Sequence, residues 1–141
     1  MDLTLKEAIQ LIVDFRHIRR NFWKELSIED PLVRRFIDAG YAILDEEYPE
    51  KYVLNKNGED FLHTYIKQIS TTFIEFLKKN GFSCYNADAI HWFSCTYSLD
   101  DEIAECLYDY IARNLKVYGL EPEKFYQSGH GWGCQFKKVD A

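Results

Sequence analysis

One segment constrains the fold of this chain more than any other. Ile37-Asp38-Ala39-Gly40 leads into Tyr41-Ala42-Ile43-Leu44, then an acidic connection, then Lys51-Tyr52-Val53-Leu54, then Asn55 ahead of a long amphipathic run. Glycine takes the left-handed backbone conformation without a Cβ penalty, so Gly40 predicts the end of a helix. Tyr41 to Leu44 and Lys51 to Leu54 favour extended chain, and the link Asp45 to Glu50 between them predicts a hairpin. The Asn55 side chain can accept from an N–H of the following turn, so a second helix starts at once.

The flanking segments are helical by periodicity. Leu5, Ala8, Ile9, Ile12, Phe15, Ile18 and Phe22 recur at steps of three and four, predicting a helix from about Thr4 to Glu25. Thr4 and Glu7 have the spacing of a capping box. Arg16, Arg20 and Lys24 form a basic ridge opposite the apolar stripe, balanced by Asp14 and Glu25. Ser27 or Asp30 caps the next helix, with Pro31 in its first turn. There Leu32, Val33, Phe36 and Ile37 face inward, and Arg34, Arg35 and Asp38 outward. The helix after Asn55 carries Leu62, Tyr65, Ile66, Ile69, Phe73, Phe76 and Leu77 on one stripe and stops at Asn80-Gly81.

Beyond Gly81 the composition shifts toward aromatic and β-preferring residues. Phe82 to Tyr85 and Ile90 to Tyr97 read as strands. Ser98 is then expected to cap a helix buried through Ile103, Leu107, Tyr110, Ile111 and Leu115. Gly119 and Pro122 break the chain, and Trp132 to Val139 reads as a final strand. The expected class is α+β. Residues 1–80 supply helices and a hairpin, and residues 81–141 a strand–strand–helix–strand layer, sharing one core or forming a single domain.

The order helix, glycine, hairpin, helix over residues 27–63 resembles the winged-helix domain. That resemblance implies that the helix before the hairpin lies in the DNA major groove and that the hairpin, the wing, touches phosphates. It makes Arg34 and Arg35 groove-facing and sets Lys51 and Lys56 beside the backbone, with Arg16, Arg20 and Lys24 extending the basic surface. Two features pull the other way. Asp45, Glu46, Glu47 and Glu50 stand where phosphates would lie. The chain carries 17 basic against 23 acidic residues, a net charge of -6. Residues 1–80 hold 12 basic against 14 acidic and residues 81–141 hold 5 against 9, so the deficit is steeper in the second part.

Cysteine and histidine chemistry has little local support. Cys84, Cys95, Cys106 and Cys134 form no C-x-x-C pair. His91 with Cys95 and His130 with Cys134 repeat a spacing of four, enough on paper for a tetrahedral zinc site or a Cys–His nucleophile. Trp92 and Trp132 beside them favour packing, so neither metal, cofactor nor catalytic residue is expected. Gly129-His130-Gly131-Trp132-Gly133 matches no phosphate-binding loop.

No apolar run approaches the roughly 18 residues that span a bilayer. The N-terminal order does not read as a signal peptide, so a cytoplasmic protein with reduced thiols is expected. The aromatic stripe of the long helix suits a homodimer as well as a seam between the two parts. Two functional readings follow, both non-enzymatic. One is a winged-helix-like regulator that binds DNA. The other is an acidic interaction module, of inhibitor or immunity type, that engages a basic protein through Asp45, Glu46 and Glu47 or through Asp100, Asp101 and Glu105.

Overall fold

In the computed structural model, residues 1–16, 29–47 and 51–139 are described. They divide into two units, Met1–Lys67 and Gln68–Ala141.

The first unit starts with the expected capping box. The Thr4 N–H donates to Glu7 Oε1 (3.0 Å) and the Glu7 N–H to Thr4 Oγ1 (3.1 Å). Helix α1 (Leu5–Arg16) then buries Ala8, Ile9, Leu11, Ile12 and Val13. The rest of the expected first helix, with Arg20 and Lys24, lies outside the described residues. Helix α2 (Pro31–Asp38) is capped by Asp30, whose carboxylate accepts from the Leu32 N–H at 2.9 Å, with Pro31 opening the first turn. Val33 and Phe36 are its buried side chains. Gly40 sits at φ +85°, and the chain turns there into strand β1 (Ala42–Leu44).

Strand β1 pairs antiparallel with β2 (Tyr52–Leu54), setting Ala42 opposite Leu54, Ile43 opposite Val53 and Leu44 opposite Tyr52. Helix α3 (Lys56–Lys79) follows, and the boundary between the units falls inside it. Asn55 ties these pieces together. Its Oδ1 accepts from the Gly58 N–H (2.8 Å), its Nδ2 donates to Gly40 O (2.6 Å) and its N–H donates to Tyr41 O (3.2 Å). Phe15, Phe36, Tyr41 and Phe61 close the aromatic core of this unit, with Tyr41 and Phe61 stacked at 4.7 Å.

The second unit corrects part of the sequence reading. Strand β3 (Ser83–Tyr85) is present, but Ile90 to Tyr97 belongs to helix α4 (Asn86–Tyr97) rather than to a strand. Ala89 and Phe93, four apart, face the core there, and Trp92 and Phe93 both pack on Phe73. Burial around Phe73 overrides the weak β preference of the aromatic run. Ser98 does not cap the next helix. It adopts φ 54° and terminates α4, and Asp100 caps α5 (Asp101–Asn114) by accepting from the Ile103 N–H at 2.8 Å.

After a 3-10 turn over Leu115–Tyr118, strand β4 (Leu120–Gln127) runs straight through Pro122, a second correction. The sheet order β3–β5–β4 places β4 at an edge, beside β5 (Gly131–Lys138). The Val139 N–H donates to Gly119 O at 2.9 Å, and alternation from that bond points the backbone of Pro122 away from β5. Proline therefore breaks no ladder bond. The expected strand–strand–helix–strand layer is instead strand–helix–helix–strand–strand, and the class is mixed α+β. Helix α4 packs on β5 and α5 on β4. Phe73 is the hub of this core, with Phe76, Trp92, Phe93, Tyr108 and Phe136 all within 6.0 Å between ring centroids. No described helix is long and apolar enough to cross a membrane.

Candidate interaction surfaces

Hairpin β1–β2 places two kinds of residue at one end of the first unit. Ile43 and Val53 are cross-strand partners on the same face and are exposed by 51% and 37%. Leu44, on the opposite face, is exposed by 49%. An apolar pair left in solvent beside polar residues is the kind of surface that marks an interaction site. The Asp45 N–H extends the ladder to Lys51 O (2.8 Å), and the Asp45 carboxylate accepts from the Glu47 N–H (2.8 Å). That turn holds Glu46 and Glu47 in solvent next to the apolar pair.

Three of the basic candidates, Arg16, Arg34 and Arg35, are engaged with acids. Arg16 pairs with Glu59 at 2.7 Å, Arg35 with Glu7 at 3.2 Å, and Arg34 with Asp38 one turn on at 3.5 Å. These are surface pairs, each worth about 0–1 kcal/mol, so they can be exchanged for another anion. They nonetheless neutralise the guanidinium groups that the winged-helix resemblance assigns to DNA. Glu7 registers the arrangement: hydrogen bonding from Thr4, with the Arg35 guanidinium alongside, holds its carboxyl below the ordinary value. Lys51 and Lys56 are exposed at the start of β2 and of α3.

The acids of α5 have structural employment. Asp100 is the cap, Asp101 lies in the first turn, where the helix dipole favours negative charge, and Asp109 pairs with Arg113 at 2.9 Å. Asp101 and Glu105 are exposed.

The two His–Cys spacings have different outcomes. His91 and Cys95 meet on the exposed side of α4, with Sγ 3.5 Å from Nε2. His130 instead stacks on Tyr85 at 4.8 Å, and Cys134 is buried opposite Cys84 in the sheet. None of the four cysteines forms a disulfide. Burial, with Cys134 alongside, pushes the Cys84 thiol up to about 11, which keeps it a protonated packing group at neutral pH. Among the described residues no group of three or more His, Cys, Asp or Glu is placed to hold a metal.

A concavity of about 470 Å³ in the second unit was not anticipated from sequence. It is lined by the end of α3 (Phe76, Asn80), by β3 (Ser83, Cys84, Tyr85), by Asp88 of α4 and by Phe125, Gln127 and Gln135 of the hairpin. Gly133 has no Cβ because one would lie 2.6 Å from Phe125 Cζ and 2.7 Å from Cys84 O, so the glycine lets the Phe125 ring lie across the sheet. These residues are spread from 76 to 135 and share no motif, which is why no local signal marks them.

Comparison with known proteins returns nothing: no family model, no curated protein and no solved structure matches this chain.

Proposed function

We propose that this protein is a non-enzymatic interaction module whose β1–β2 hairpin, a wing in a winged-helix-like first unit, docks a basic protein partner. The observation that carries the reading is the pairing of exposed Ile43 and Val53 with the acids Asp45, Glu46 and Glu47 at the same hairpin end. An apolar centre with a charged rim is the composition of a protein-docking patch. A surface of that sign repels phosphate and steers a cationic partner. The helix–Gly40–hairpin–Asn55–helix order supports the winged-helix-like description.

A second reading, a DNA-binding regulator, is favoured by the half-exposed Arg34 and Arg35 on the helix before the hairpin. Immobilised protein separates the two. The first reading expects capture of a basic protein that, once identified and purified, binds more weakly as salt rises. That binding is lost when Asp45, Glu46 and Glu47 become Asn, Gln and Gln, or when Ile43 and Val53 become Ser. A partner indifferent to both sets overturns it. Duplex DNA retained by the wild type and lost with Arg34→Ala/Arg35→Ala establishes the second reading instead.

A further inference from the structure

We infer that the concavity between the end of α3, strand β3 and the β4–β5 hairpin binds an organic cation of the guanidinium type. The inference concerns the second unit alone and does not depend on the hairpin reading.

Three features of the lining select the ligand class. Among the described residues no lysine, arginine or histidine lines the concavity, and the one charge in its lining is the carboxylate of Asp88. Asp88 makes no hydrogen bond and no ion pair among the described residues, so the charge is available to an incoming cation.

The walls are aromatic. Phe76, Tyr85 and Phe125 belong to three different elements, and Tyr85 and Phe125 meet edge to face at 5.6 Å. His130 stacks on Tyr85 at 4.8 Å and Trp92 on Phe76 at 5.1 Å, so an incoming cation meets the remaining ring surface. The faces of aromatic rings attract cations, and a planar guanidinium stacks on them better than an ammonium does.

The polar remainder includes hydrogen-bond acceptors for a fork of N–H donors. The Tyr85 hydroxyl donates to Gln127 Oε1 and fixes that side chain. Asn80 Nδ2 donates to Phe76 O at 2.8 Å, which leaves Asn80 Oδ1 as an acceptor. Gln135 has no side-chain partner among the described residues. A guanidinium offers five donors in one plane, enough for the Asp88 carboxylate and two amide oxygens. An anion finds no positive group here, and a neutral apolar ligand leaves Asp88 and the amides unpaired. The volume accommodates a guanidinium with its alkyl stem.

The same chemistry is supplied by a free small molecule or by an arginine side chain of a protein, and the test distinguishes them. The whole chain, labelled with nitrogen-15, is titrated separately with agmatine and with N-acetyl-arginine methylamide. The neutral citrulline derivative is the control. Expected are saturable shifts at Tyr85, Asp88 and Gln135 with a Kd on the order of 1 mM. Asp88→Asn, whose fold is verified by an otherwise unchanged spectrum, weakens binding by about tenfold or more. Phe125→Leu also weakens it, because the ring is lost while apolar bulk is kept. Binding of agmatine alone identifies a small-molecule site, and binding of the blocked arginine identifies a side-chain pocket. Absence of binding by either cation overturns the inference. So does citrulline binding as tightly as arginine, or Asp88→Asn without effect.

Discussion

Gly58→Ala tests the packing that builds the hairpin, because two effects of opposite sign act on one methyl group. In a solvent-facing helix position the change stabilises by about 1 kcal/mol, since glycine is the poorer helix former. Gly58 is buried in the first turn of α3. A Cβ there would stand 2.1 Å from Tyr41 O and 3.2 Å from Leu54 Cδ2. The first contact is with backbone, which cannot rotate aside, so α3 and the start of β1 must separate by roughly 1 Å or more. Overpacking of this kind costs about 1–3 kcal/mol. The separation also strains the Asn55 N–H to Tyr41 O bond at 3.2 Å and the Asn55 Nδ2 to Gly40 O bond at 2.6 Å. Each such bond is worth about 0.5–1.5 kcal/mol. Set against the propensity gain, the net expectation is a loss of about 1–5 kcal/mol. Urea unfolding followed by circular dichroism measures it, and amide exchange at Ala42–Leu44 and Tyr52–Leu54 locates it. Asn57→Ala, at an exposed neighbouring position, should stay within about 0.5 kcal/mol. A Gly58→Ala variant as stable as the wild type, or more so, refutes the close approach of α3 to Tyr41.

Three further expectations concern the second unit. Phe73→Ala removes the hub of the aromatic core and should cost about 3–5 kcal/mol, read from urea unfolding through tryptophan fluorescence; a loss under about 1 kcal/mol would contradict the core assignment. Iodoacetamide applied to the native protein should modify Cys95 and spare Cys84 and Cys134, as peptide mass spectrometry will report. The Cys84 thiol is raised from 9.0 to about 11, so the unfolded chain ionises first. Its contribution is fully present below about pH 9 and is lost as pH climbs toward 11. The Tyr108 phenol, raised chiefly by burial, acts in the same direction. A urea midpoint that stays flat from pH 8 to 11 would count against both burials.

What was legible in the sequence was local. Gly40, Asn55, Asp30 and the Thr4–Glu7 box each act within a few residues, and each is found in its expected role. What was not legible depends on distant neighbours. Ile90 to Tyr97 has strand-like composition but is helical, because Phe93 and Trp92 must reach Phe73. Pro122 reads as a breaker until β4 is known to be an edge strand. Ser98 and Asp100 are both plausible caps by type, and only the left-handed turn at Ser98 selects Asp100. The exposure of Ile43 and Val53 follows from hairpin register, and the groove around Asp88 from the meeting of five elements. Arg16 was legible as part of a basic ridge and Arg34 and Arg35 as outward-facing, but their acid partners at Glu59, Asp38 and Glu7 were not.

We propose that the hairpin end, rather than the arginine-bearing helix α2, meets the partner. It is tested most directly by mapping amide shifts of the nitrogen-15 protein against a lysine-rich peptide and, separately, against duplex DNA. Peptide-induced shifts centred on Ile43, Asp45, Glu46, Glu47 and Val53, weakening with salt, are expected, with no saturable response to DNA. Saturable DNA shifts centred on Arg34 and Arg35, with the hairpin unmoved by peptide, would contradict it.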